Sequence, residues 1–195
     1  MNWSESNVNI VIKCKAILKS GKRNGLGKYT YGDIGQTEVG LFKNNELVSG
    51  IITWKDSGDT YCGELIDKNT IEYGIYNHKE PGDYYAGSFK NDLRHGFGIY
   101  NFQNEDYDVG EYKKGELDGY GILYNKNNSI FEQGLYKKGE LKKKTKVNNT
   151  ILKKAKDSAK TADFKCSEAK EHVKKYYDLL FTIDKKNKNN TNSDT

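Results

Sequence analysis

Cysteine is scarce in this 195-residue chain. There are three, Cys14, Cys62 and Cys166, an odd number at wide spacing with no CxxC pair. That count argues against a disulfide framework and gives no zinc site at ordinary ligand spacing. Long apolar runs are missing too, so no segment reads as a bilayer-spanning helix. The opening residues, MNWSESNVNI, lack a basic stretch followed by an apolar one, and no secretory signal is expected. The expected setting is therefore cytoplasmic and reducing, where the sequons at Asn2, Asn127, Asn148 and Asn189 carry no sugar. Apolar residues make up only 35% of the chain, which is thin for a compact two-layer globule.

The chemistry-bearing motifs of enzymes are also absent. His78, His95 and His172 lie far apart, and no Ser or Cys sits in a recognisable nucleophile motif. The stretch GKRNGLG (21–27) lacks the Gly-Lys-Ser/Thr ending and the following helix of a phosphate loop. Basic residues are not interleaved with aromatics as a single-strand nucleic-acid binder requires. The reading is a non-enzyme with no cofactor, no metal, no small-molecule substrate and no nucleic-acid partner.

What the chain does have is tyrosine and glycine, 15 and 20 residues, in a repeating order. A glycine followed two positions later by an aromatic or leucine recurs at Gly40/Phe42, Gly63/Leu65, Gly87/Phe89, Gly110/Tyr112 and Gly134/Tyr136, at intervals of 23, 24, 23 and 24 residues. A second glycine pair follows, complete at Gly96/Gly98 and Gly119/Gly121 and half kept at Gly74. Gly25 and Gly27 supply the pair of an N-terminal copy that has Ala16 in place of its first glycine. The copy beginning at Gly40 is degenerate, with Ser49 and Ile51 at the pair positions and Gly50 out of step. A fixed period over about six units predicts a stacked repeat and favours an open stack over a closed barrel.

Alternation along a strand places Tyr85, Gly87 and Phe89 on one face, and Gly96, Gly98, Tyr100 and Phe102 on one face of the next strand. The polar KNDLRH (90–95) reads as the hairpin loop between them. Phe97, Ile99, Tyr120 and Ile122 then fall on the other face. Glycine weakens a strand interior unless something uses the bare backbone. Here each Gly-x-Gly is expected to seat an aromatic ring from the adjacent strand or repeat. The segment NVNIVIKCKAIL (7–18) alternates apolar residues and is expected to form the first edge.

The stretches YAGSFKNDLRHGFGIYNF and DVGEYKKGELDGYGILYN resemble MORN repeats, short units with a Tyr-x-Gly-x-aromatic start and a later Gly-x-Gly. The resemblance covers roughly residues 14–141. It implies a mainly β fold, an elongated open antiparallel sheet of stacked hairpins. It also implies a place in cytoskeletal, membrane-junction or ciliary assemblies, and a non-catalytic scaffold or adaptor role. Some members are enzymes through a separate catalytic domain, for which nothing after residue 141 is large enough.

The remainder is expected to divide into a basic linker (142–149), one long helix (150–184) capped by Asn149 or Thr150, and a low-complexity, disordered tail (185–195). Residues 142–195 carry fifteen lysines against seven acids, while the rest of the chain is mildly acidic. The helix shows unbroken steps of three and four through Leu152, Ala155, Ala159, Ala162, Cys166, Ala169, Val173, Tyr176, Leu180 and Ile183, a heptad seam. Cys166 reads as packing, and YYDLLF (176–181) as the anchoring end. A seam of alanines is marginal alone and needs a partner surface. Three are open: its own sheet, favoured because a helix of about 50 Å matches a twelve-strand sheet of about 55 Å; a second copy, as a coiled coil; or another protein.

Two functions follow. The first is binding of a protein partner, or self-association, through the tyrosine-rich sheet, the helix or both. The second is binding of anionic membrane lipid through the basic segment. Acids Asp157, Asp163, Glu168, Glu171 and Asp178 interrupt the helix and weigh against the second.

Overall fold

A computed structural model describes residues 17–19, 21–32, 34–67 and 70–191. Its strands run in chain order: β1 (Ile17–Lys19), β2 (Lys22–Tyr31), β3 (Gln36–Lys43), β4 (Glu46–Trp54), β5 (Thr60–Asp67) and β6 (Thr70–Asn77). They continue with β7 (Tyr84–Lys90), β8 (Leu93–Asn101), β9 (Tyr107–Lys113), β10 (Glu116–Tyr124), β11 (Ile130–Lys137) and β12 (Glu140–Lys144). One helix, α1 (Asn149–Thr191), follows. Each strand pairs antiparallel with the next, giving a single 12-stranded open sheet in sequence order. Of the segment expected as the first edge, only its end falls in β1; residues 7–16 lie outside the described residues.

The turns explain the tight period. Asn44-Asn45, Asn91-Asp92, Lys114-Gly115 and Lys138-Gly139 all have positive φ at both residues. That is the two-residue turn whose twist matches paired strands, and Asn, Asp and Gly tolerate it best. The loop is therefore shorter than KNDLRH suggests: Leu93, Arg94 and His95 already belong to β8.

The register aligns glycines across the sheet. Gly27 pairs with Gly40, Gly40 with Gly50, Gly50 with Gly63, Gly63 with Gly74 and Gly74 with Gly87. The row goes on through Gly98, Gly110 and Gly121 to Gly134. Gly50 is thus in step. A register shift between Leu41 and Phe42 brings it beside Gly40, so the copy that looks degenerate keeps the row intact. The first glycine of each pair does something else. Gly25, Gly96 and Gly119 have φ of 90°, 74° and 139°, and Gly96 and Gly119 fall where the pairing with the preceding strand shifts register. They supply a backbone shape rather than a seat for a ring.

The helix starts one residue earlier than expected, with the Asn148 Oδ1 accepting from the Thr150 N–H at 2.8 Å. Asn148, rather than Asn149 or Thr150, is the cap. The helix runs on to Thr191, through most of the stretch read as disordered, and β12 takes up the start of the expected linker. It folds back across the sheet, touching β2 through β10. Ala155, Ala159, Ala162, Cys166, Ala169 and Tyr176 are buried, and Leu152, Val173, Leu180 and Ile183 half-buried. Ala159 and Ala162 pack with Ala86, Ile75 and Ile99; Cys166 and Ala169 pack with Cys62, Ile51 and Ile75. Small seam residues let the helix lie close to a flat surface, which leucines would hold off. The seam meets the sheet, so the coiled-coil alternative finds its surface already used. In YYDLLF only Tyr176 is buried; Tyr177, Leu179 and Phe181 face outward.

Polar contacts pin α1 at intervals. The Ser158 hydroxyl donates to the Phe97 carbonyl at 2.6 Å, and His172 Nδ1 lies 3.1 Å from the Ser49 hydroxyl. Lys165 pairs with Glu64 at 3.0 Å. Beside that pair Cys62 and Cys166 form a disulfide with Cα atoms 4.9 Å apart. This corrects the reading of Cys166 as packing alone and of the cysteines as unbridged. The two are 104 residues apart, and only the fold of the helix onto β5 brings them together.

Candidate partner-binding surface

Helix α1 occupies one face of the sheet, the face of Ile51, Cys62, Ile75, Ala86 and Ile99. The opposite face carries the second set of alternating residues and is covered by no described element. An inner stripe on it is nonetheless buried: Phe42, Leu47, Tyr61, Leu65, Ile71, Tyr85, Phe89, Tyr112, Leu117 and Tyr136 form one cluster. The glycine row makes this possible. A Cβ on Gly87 or Gly98 would collide with the Tyr85 phenol, and one on Gly63 or Gly74 with that of Tyr61. Each ring lies flat over bare backbone. Its hydroxyl donates into backbone carbonyls, Tyr61 to Glu64 at 2.7 Å and Tyr85 to Ser88 at 3.1 Å. Burial pushes both phenols well above their ordinary range.

Gly74 and Gly98 thus seat a ring from the adjacent strand, as expected, and the same ring also covers a glycine on its own strand, Gly63 or Gly87. Tyr61 and Tyr85 stand two residues before the glycine on their own strand and reach across to the next. Phe89 packs edge-on between them, 5.9 Å from Tyr61 and 5.1 Å from Tyr85, and Tyr112 sits 4.9 Å from Tyr85. Elsewhere an acid, Glu38, Asp108 or Glu132, replaces the tyrosine two residues before the glycine. There leucine fills the seat: Leu47 against Gly50, Leu117 against Gly110 and Gly121, Leu141 against Gly134.

Beyond the glycine row runs an outer stripe, Tyr29, Trp54, Tyr76, Tyr100 and Leu123, only partly buried and packed against the inner cluster. Sequence reasoning missed what holds it. Asp59 Oδ2 accepts from the Tyr76 hydroxyl at 2.9 Å and Asp83 Oδ2 from the Tyr100 hydroxyl at 2.8 Å. Their other oxygens take the N–H of Lys79 and Gln103, and Asp106 takes that of Lys126. Burial, with the Asp59 carboxylate beside it, pushes Tyr76 up to about 12. The signal was present as an aspartate recurring with the period, at Asp59, Asp83 and Asp106.

Charge enters this face at two arginines. Arg23 lies over the Tyr29 ring, 4.0 Å from its centre, and beside Phe42 at 5.2 Å. Arg94 lies over Tyr100 at 4.5 Å, with Tyr112 at 5.8 Å and Tyr85 at 6.0 Å. A cavity of about 670 Å³ opens beside Arg23, lined also by Lys22, Tyr31, Glu38, Asn44, Asn45, Glu46 and Leu47. Burial raises the carboxyl of Glu38 and pushes Asp108 up to about 7, against the opposing pull of Arg94 on the latter.

The histidines stay apart: His78 is beside Asp59, His95 on β8 and His172 against Ser49. Among the described residues no group of three or more His, Cys, Asp or Glu is placed to hold a metal. No described helix is long and apolar enough to cross a membrane.

A single-layer stack of antiparallel hairpins with a glycine row and one backing helix defines a class of β-repeat protein. The MORN repeat family model matches residues 17–33, 85–107 and 109–130, so these three regions carry MORN-like repeats. These segments fall on the first two strands, on the hairpin of β7 and β8, and on that of β9 and β10. No curated protein matches the chain in sequence.

Proposed function

We propose that the protein is a non-catalytic scaffold or adaptor that holds a protein partner against the face opposite α1. One observation carries this reading: the helix uses up one face of the sheet, while the other presents a half-exposed stripe of Tyr29, Trp54, Tyr76 and Tyr100, two of whose hydroxyls are held by aspartates. Tyrosine and tryptophan bring large contact area at low entropic cost, and the Tyr76 and Tyr100 hydroxyls are already held by aspartates. The repeat geometry presents them as one elongated surface.

Site-specific photo-crosslinking tests the assignment. Benzoylphenylalanine replaces Tyr100 on the open face or Phe164 on the outer side of α1, which is 61% exposed. Protein adducts formed from position 100 support the reading. Adducts from position 164 alone transfer the role to the helix, and adducts from neither remove it.

A further inference from the structure

The two arginines of the open face belong to one duplicated arrangement. Arg23, Gly25 and Tyr29 on β2 match Arg94, Gly96 and Tyr100 on β8. In the following strands Glu38 stands opposite Tyr29 as Asp108 stands opposite Tyr100. Phe42 pairs with Gly25 as Tyr112 pairs with Gly96. The hairpins between carry aliphatic residues in the arginine position, Leu47 and Ile71. The pattern therefore recurs after three hairpins, and not in every one.

Each guanidinium rests on a ring face, which leaves its N–H edge for a planar acceptor. Neither arginine forms an ion pair among the described residues. Arg23 Nη2 donates to the Asn45 carbonyl at 2.6 Å, but Nη1 is buried without an acceptor. Asp108, 8% exposed, has its Oδ1 buried without a donor. Those two atoms are enclosed, but Arg23 and Arg94 as whole residues are only half-buried, which leaves each side chain partly open to an incoming acceptor. Burial pushes the Asp108 carboxyl up to about 7 against the pull of Arg94, which lowers the negative charge set beside that arginine, and it raises the carboxyl of Glu38.

Resting on the partner-binding reading, we propose that this face receives an extended segment of a protein partner through two acidic side chains, one on Arg23 and one on Arg94. The arginines lie six strands apart, a distance of about 29 Å. An extended segment covers that in about nine residues, whereas a helix would need about nineteen.

The test is selection of a random 16-residue peptide display library on the immobilised full-length protein, followed by fluorescence anisotropy of the enriched peptides. The proposal expects peptides with two acids about eight to ten residues apart. Arg23→Gln and Arg94→Gln should each weaken binding roughly tenfold or more, with partial recovery in Arg94→Lys. Glu→Gln exchange in the peptide should do the same with the protein untouched, which covers a variant that fails to fold. Enriched peptides without paired acids, or indifferent to both arginines, overturn the two-anchor proposal and leave the open face as a partner surface. No enrichment overturns both, as does protein that instead sediments with phosphatidylserine vesicles in an arginine-dependent way.

Discussion

The phenol of Tyr85 lies across Gly98 on the neighbouring strand, so that the bare backbone of one residue is the floor for the ring of the other. Tyr85 is 1% exposed and has no free space into which to retreat. Gly98→Val places a branched side chain in the volume of the ring. Overpacking of this kind typically costs about 1–3 kcal/mol, and displacing a phenol bonded to the Ser88 and Phe97 carbonyls adds to it. Urea unfolding should show a loss of about 3 kcal/mol. An unchanged midpoint would mean that Tyr85 does not occupy the seat.

Phe89 and Tyr112 test the cluster that the seat supports. Both rings meet Tyr85 edge-on, and both are nearly fully buried. Removal of either to alanine should cost about 3–5 kcal/mol, as for other buried aromatics. Tyr112→Phe separates ring from hydroxyl. The Tyr112 hydroxyl is buried without a partner, so its loss should be neutral or stabilising by up to about 1 kcal/mol. A clear destabilisation in Tyr112→Phe would show that the hydroxyl is bonded in solution.

The hairpin period, the open sheet and the helix seam were legible because they are periodic and local. The glycine row was only half legible. Gly50 looked misplaced because spacing along the chain ignores register, and a shift between Leu41 and Phe42 restores it. Which residue fills the seat was not legible either: Tyr61, Tyr85, Leu47 and Leu117 all do so, from different offsets, and only packing decides among them. The Cys62–Cys166 bridge depends on where a helix docks, which no local pattern carries. The paired arginine positions were hidden by a period of three hairpins laid over a period of one.

Asp108 makes stability depend on pH in an uncommon direction. Burial raises its carboxyl to about 7 in the folded protein, with Arg94 opposing, from an ordinary value of 3.8. The folded state therefore holds the proton more tightly than the unfolded chain. This contribution is fully present below about pH 4 and is lost as pH rises to about 7. Asp108→Asn removes it. The stability of the variant relative to the native chain should rise across that window, by on the order of 3–4 kcal/mol. Paired urea melts between pH 4 and 8 measure the difference; a constant difference would show that Asp108 is ionised throughout and solvated.

The Cys62–Cys166 bridge closes a loop of 104 residues between β5 and α1. Cross-linking so long a loop removes much of the freedom of the unfolded chain, worth about 4–5 kcal/mol in the chain-entropy account. The helix it holds is otherwise attached by alanines, which bury little area each, and by a few polar pins such as Ser158 to Phe97 and Lys165 to Glu64. Reduction should therefore weaken α1 more than the sheet. In hydrogen exchange, helical amides around Ala159–Ala169 should lose protection in the reduced protein or in Cys166→Ser, while amides of β7 to β10 keep most of theirs. Peptide mapping without reductant should recover Cys62 and Cys166 in one linked product. Linked peptides with no change in helix protection would assign the docking to the alanine seam alone, and unlinked peptides from air-oxidised protein would remove the bridge.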